Sequence, residues 1–187
     1  MEIKSILRTI LTEIDETVSS IRDEEITEFA EAVRNADRIF VAGTGRALLM
    51  IKPLAMRLMQ FGREAYVVGE TITPAITKED LLIIASGSGT TSTMQAVAGR
   101  CKQAGASLAL ITTMPDSPIA QKADHVLTVP AATTKNSSNE RKSHQFAAST
   151  FEQCVLLLGD ALIQELFADM DLSGANSSLM RRHANLE

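Results

Sequence analysis

Apolar residues near the start of the chain recur every three or four places. Ile3, Ile6, Leu7, Ile10, Leu11, Ile14 and Val18 fall along one side of a helical wheel, which predicts an amphipathic helix over residues 3–21. A second helix is predicted over about 23–35. The period then changes. Arg38-Ile39-Phe40-Val41-Ala42 is a compact β-prone run that stops at Gly43-Thr44-Gly45, and helical spacing resumes through Met59. The same unit returns where Leu81-Leu82-Ile83-Ile84-Ala85 enters Ser86-Gly87-Ser88-Gly89. A helix predicted over about 91–103 follows, and Gly105 stops it. Segments 65–68, 107–112 and 125–129 read as further strands. Strands without polar alternation, separated by helices, indicate an α/β fold with a parallel sheet covered on both faces. The crossovers are expected to be right-handed.

Residues 131–142 lack apolar periodicity and read as an exposed, mobile loop. Phe146, Phe151, Val155, Leu158, Leu162 and Leu166 then fit one long helix within 143–170, followed by a short mixed tail at 173–187. The expected organisation is a single domain over 1–187, with N-terminal helices at 1–35 and the sheet with its crossover helices at 36–130.

Composition narrows the function. With 187 residues, 45% hydrophobic and 22% charged, the chain has room for one ordinary core and no second full domain. A net charge of -5 argues against nucleic acid or an anionic membrane as partner, because both call for a dominating basic surface. Aromatic content of 4% without Trp argues against base-stacking platforms. The apolar runs are short and broken by charges, with no signal-type segment, so a cytoplasmic protein is expected. Cys101 and Cys154 lie far apart inside predicted helices and read as reduced core thiols. No His, Cys and carboxylate cluster has metal-ligand spacing, so chemistry without metal or cofactor is expected.

The candidate chemistry begins at Ser86-Gly87-Ser88-Gly89-Thr90-Thr91, between a buried strand and a helix start where backbone N–H groups lack intrahelical partners. Glycine at 87 and 89 would let the backbone approach a phosphate closely, and Ser86, Ser88 and Thr91 would add hydroxyl donors. A Ser/Gly/Thr turn before a helix also serves as a plain N-cap and tight loop. The segment is not a P-loop, since no Lys follows its second glycine. Gly43-Thr44-Gly45 is not a dinucleotide fingerprint, since the third glycine is missing.

Ser86, Ser88, Gly89 and Thr91 match residue for residue the Ser-x-Ser-Gly-x-Thr loop of the SIS (sugar isomerase) domain family, which the chain resembles over nearly its whole length. The resemblance implies a three-layer α/β/α sandwich whose five-stranded parallel sheet has flavodoxin-like order. It also makes Gly43-Thr44-Gly45-Arg46 the second wall of a sugar site. Arg46 there either pairs with phosphate or a sugar hydroxyl or is simply solvated. Close relatives commonly carry Ser after that Arg, whereas Ala47 follows here, which removes one donor.

Isomerisation of a sugar phosphate through an enediol needs a base for a carbon-bound proton and donors for the developing oxyanion. Glu152, near the start of the last long helix and flanked by apolar residues, occupies the place of the family's base by resemblance; its alternative is an exposed helix-start Glu favoured by the dipole. The ending His183-Ala184-Asn185-Leu186-Glu187 resembles that of the 6-phospho-3-hexuloisomerases within the family. That resemblance implies a tail folded over a site, that of a neighbouring subunit, with His183 aiding proton transfer between oxygens or ring opening. A terminal His is otherwise a surface group. His144 is a secondary candidate, within reach of the Glu152 region, and His125 at a strand start reads as structural.

The resemblance further implies D-arabino-3-hexulose 6-phosphate as substrate, fructose 6-phosphate as product, and a 3-hexulose-6-phosphate synthase as functional partner in the ribulose monophosphate route of formaldehyde fixation. An arabinose 5-phosphate or phosphoheptose isomerase is the first rival, although the paired regulatory modules usual in the former are absent. A non-catalytic sugar-phosphate sensor is the second, although the two N-terminal helices are too short and acidic for a DNA-binding domain. Surplus apolar positions on the N-terminal helix predict self-association, and resemblance makes the assembly a homotetramer; the same stripe could be an ordinary core face.

Overall fold

The computed structural model describes residues 2–132 and 143–186. Two helices, α1 (Ile3–Val18) and α2 (Asp23–Asn35), precede β1 (Arg38–Gly43), α3 (Gly45–Gln60) and β2 (Glu64–Val67). β3 (Leu81–Ala85), α4 (Ser92–Gln103), β4 (Ser107–Thr112), a 3-10 turn (Ala120–Lys122) and β5 (His125–Thr128) follow. The described chain closes with α5 (Ser149–Leu166) and α6 (Leu172–Met180). The strands form one parallel sheet in the order β2-β1-β3-β4-β5.

The absence of polar alternation has a direct structural counterpart. Ile39 and Val41, Leu81 and Ile83, and Ala109 and Ile111 point to the face covered by α2, α3 and α5. Phe40 and Ala42, Leu82 and Ile84, and Leu108 and Leu110 point to the face covered by α4. Successive strand residues face opposite layers, so both sets must be apolar. The edge strand β5 is sealed by α2: Glu25, itself buried, accepts hydrogen bonds from the backbone N–H of Thr128 (2.7 Å) and its hydroxyl (3.2 Å). A covered edge cannot template pairing with another chain. At the opposite end of the strands from the turns described below, buried Asp80 takes Arg38 in a two-pronged ion pair (2.9 and 2.7 Å) and also binds the Thr77 N–H and hydroxyl. Burial pushes the Asp80 carboxyl up, but these hydrogen bonds outweigh it and hold the group below the usual carboxylate range. Both cysteines are buried free thiols, each pushed up to about 11, by burial before all else.

The last helix departs from its periodicity. It was expected within 143–170 but runs Ser149–Leu166. Ala147 sits at φ 53, a left-handed conformation no helix continues through, and the Ser143 hydroxyl and His144 N–H are drawn off to Glu13. The mixed tail expected at 173–187 contains α6, started by Asp171, whose carboxylate accepts from the Gly174 N–H at 2.5 Å. The predicted exposed loop at 131–142 lies outside the described residues from 133 on, and its first residue, Ala131, is buried. Among the described residues no helix is long and apolar enough to cross a membrane.

Candidate active site

The turn after β3 is held from behind. The Gly87 carbonyl accepts three hydrogen bonds from the end of β4 and the residue after it: Thr113 N–H (3.0 Å), Thr113 hydroxyl (2.9 Å) and Thr112 hydroxyl (3.1 Å). The Ser86 carbonyl takes the Gly89 N–H (3.1 Å), and the Gly89 carbonyl takes the Ile119 N–H (3.3 Å). A trans peptide points its N–H away from its C=O, so fixing the Gly87 carbonyl turns the Ser88 N–H away from β4. The N–H groups of Gly87, Ser88 and Thr91 donate to no acceptor among the described residues. Ser88 Oγ accepts from both the N–H (3.3 Å) and the hydroxyl of Thr90 (3.0 Å), which leaves its own proton to donate outward. Thr91, the N-cap of α4, makes no side-chain capping bond. An uncapped helix start with several free donors is a ready anion site.

Two glycines here have specific reasons. Gly89 has φ +58, and a Cβ on it would lie 1.9 Å from Ser117 Oγ. A Cβ on Gly87 would come within 3.3 Å of the Phe151 ring, so the first turn of α5 packs directly against the loop.

The second wall comes from β1 and the start of α3. Thr44, the N-cap of α3, also makes no side-chain capping bond. Arg46 extends from the first turn of α3, and its Nε donates to Glu152 Oε2 at 2.5 Å. Glu152 is largely covered, with 13% of its side chain exposed, whereas Arg46 is 57% exposed. A cavity of about 210 Å³ is lined by Thr44, Ser86, Gly87, Ser88, Thr91 and Glu152 together. Helix packing explains the meeting. A Cβ on Gly159 of α5 would lie 3.3 Å from Leu54 Cβ of α3, so the two helices touch closely there. Arg46 is eight residues before Leu54 and Glu152 seven before Gly159, about two turns each. Two helices packed side by side from the same end therefore bring both charges to one level.

The structure thus gathers the Gly43-Thr44-Gly45-Arg46 wall, the 86–91 loop and Glu152 at the C-terminal end of the sheet, where open α/β folds bind ligands. It does not bring His144 or His183 there. His144 lines a different cavity, against Ile6 and Ile10 of α1. His183 follows Arg182, whose guanidinium lies beside Gly62 just beyond the end of α3. Sixteen helical residues, about 24 Å, separate that end from the site in the same chain. Among the described residues the exposed His183 ring makes a single contact, 3.1 Å from Nδ1 to the Ala184 carbonyl. Sequence reasoning missed the hydroxyls of Thr112 and Thr113, both buried. Their signal was a pair of hydrogen-bonding side chains ending an otherwise apolar strand.

The chain resembles known proteins along nearly its whole length. A protein of Mycobacterium gastri named 3-hexulose-6-phosphate isomerase is 41% identical over 186 residues, covering 100% of this chain and 92% of its own. A Bacillus subtilis protein of the same name is 38% identical over 179 residues, covering 95% of each chain. Among solved structures, a Methanococcus jannaschii protein from whose crystal structure a molecular function of 3-hexulose-6-phosphate isomerase was inferred superposes with a TM-score of 0.81. It is 27% identical and is matched over 98% of this chain and 99% of its own. Residues 32–155, which contain both walls and Glu152, match the family model of the SIS domain, and the chain belongs to that family.

Proposed function

We propose that the chain is an isomerase that interconverts D-arabino-3-hexulose 6-phosphate and fructose 6-phosphate. The observation that carries the reading is the placement of Glu152 on the same cavity wall system as the unpartnered donors of the 86–91 loop, with Arg46 beside it. The names of relatives matched along more than nine-tenths of their length supply the substrate.

In this reading the phosphate rests on the N–H groups of Gly87, Ser88 and Thr91 and on the Ser86, Ser88 and Thr91 hydroxyls. Glu152 removes the proton from carbon 2 of the 3-hexulose, the electron pair moves toward the carbonyl at carbon 3, and a 2,3-enediolate forms. Arg46 and the first-turn N–H groups of α3 stabilise the oxyanion as charge develops. Returning the proton to carbon 3, with transfer of the hydroxyl proton from oxygen 2 to oxygen 3, gives fructose 6-phosphate. A coupled assay offering 3-hexulose 6-phosphate, arabinose 5-phosphate and sedoheptulose 7-phosphate tests the assignment. Turnover of the first alone is expected; preference for either of the others moves the chain to another isomerase of the family, and inactivity on all three makes it a sensor.

His183 completes the site in this reading from another subunit, because the neighbouring Arg182 side chain lies at the far end of α3, a helix about 24 Å long, from Glu152. The exposed apolar stripe of α1, with Ile3, Leu7 and Leu11 each more than half exposed, supports self-association, which we place at a homotetramer. Mixing inactive Glu152→Gln subunits with inactive His183→Ala subunits is expected to restore activity, since some sites then receive both intact groups. No recovery after verified subunit exchange removes the shared site. A cytoplasmic location and a 3-hexulose-6-phosphate synthase acting upstream complete the proposal.

A further inference from the structure

We propose that Glu13, on α1 and outside the segment matched by the family, is a positioning residue that fixes the rotation of α5 and with it the placement of Glu152. The inference rests on the reading of Glu152 as the base.

The first turn of α5 has no capping side chain of its own. Its N-cap is Ala148, and the residue before that, Ala147, holds φ 53. An alanine in that conformation persists only where its surroundings impose it. Glu13 is the centre of those surroundings. Its Oε1 accepts from the hydroxyls of Ser143 (2.6 Å) and Thr150 (2.5 Å), and its Oε2 accepts from the His144 N–H (3.0 Å). Gln145 extends the network, donating through Nε2 to Thr150 Oγ1 (3.0 Å) and to Gln153 Oε1 (2.9 Å). The backbone on both sides of the Ala147 kink is thereby tied to α1.

Thr150 is buried, with 1% exposure, and its hydroxyl both donates to Glu13 and accepts from Gln145. Helical residues advance about 100° each, so Glu152 lies about 200° from Thr150, on nearly the opposite side of α5. Phe151, between them, packs on Gly87. Pinning Thr150 on one side therefore sets the direction in which Glu152 leaves the other.

The chemistry of the pin calls for a carboxylate. Three donors converge on it, and an ionised carboxylate offers acceptor sites only, whereas an amide would turn N–H groups toward donors. Burial pushes the Glu13 carboxyl up, yet the hydrogen bonds from Ser143, Thr150 and the His144 N–H outweigh it and hold the group below the usual carboxylate range.

A catalytic group displaced by about 1 Å loses about a hundredfold in rate. Glu13→Gln and Thr150→Val, each in the full chain, are accordingly expected to lower kcat by about 10- to 100-fold while the Kd for fructose 6-phosphate changes by less than about threefold. Since both act through one contact, the double variant is expected to be no slower than the slower single variant. Thr150→Ser, which keeps the hydroxyl, is expected to retain near-normal kcat. Unchanged kcat in both single variants, independent multiplying losses in the double variant, or a loss of binding equal to the loss of rate would overturn the proposal. Glu152→Gln run alongside separates the two readings. Normal turnover in it removes the base assignment, whereas an inactive Glu152→Gln beside a fully active Glu13→Gln removes only the positioning role.

Discussion

Glu152→Gln is expected to lower turnover by about 10²- to 10⁴-fold, the contribution usual for a positioned acid/base group, while fructose 6-phosphate still binds within about threefold. The substitution keeps the shape of the side chain and its place in the first turn of α5, and Gln can still accept from Arg46 Nε through its amide oxygen. What it removes is a group able to take a proton from carbon. A kcat drop without a matching rise in Kd is the signature of an interaction made only in the transition state. Isotope exchange into fructose 6-phosphate from labelled water gives the same answer without the assay's coupling enzymes. Turnover or exchange at the normal rate would exclude Glu152 as the base.

The second large effect belongs to the loop after β3. Removing both hydroxyls in Ser88→Ala with Thr91→Ala is expected to raise KM by about 10²-fold or more, because each bond to a charged group contributes about 1.5–3 kcal/mol and each 1.4 kcal/mol is tenfold in binding. Neither hydroxyl is needed for the fold. Among the described residues Ser88 Oγ has bonds only with the neighbouring Thr90, and the Thr91 side chain caps nothing. The melting temperature is therefore expected to stay near that of the parent chain while KM moves. The loop's backbone N–H groups remain, so weakened rather than abolished binding is the expected result. An unchanged KM would release this turn from any role in holding the substrate.

How much of this could be read in the sequence depends on the range of the interactions. The sheet was legible because its three central strands, β1, β3 and β4, carry unbroken apolar runs such as Leu81-Leu82-Ile83-Ile84-Ala85, a pattern that burial on both faces explains. The loop after β3 was legible as a candidate anion site because its features are local: glycine, hydroxyls and a helix start lie within six residues. Glu152 needed the family resemblance, since nothing near it in the chain says that Arg46, 106 residues away, meets it. The start of α5 was misplaced because Phe146 continues the helical spacing, while what breaks the helix is a hydrogen-bond network to Glu13 more than 130 residues earlier. Thr112 and Thr113 were passed over for the same reason. A hydroxyl at a strand end acquires meaning only once the neighbouring strand brings the Gly87 carbonyl beside it.

The two deep thiols have a chemical consequence of their own. With values pushed up to about 11 by burial, Cys101 and Cys154 are held as protonated thiols at neutral pH, whereas thiolate is the form that reacts with electrophiles and oxidants. Small aldehydes, electrophiles that a thiolate would attack at the carbonyl carbon, find neither side chain both reachable and activated. Burial thus shields both cysteine sulfurs twice over, by closing off access and by keeping them in the unreactive thiol form.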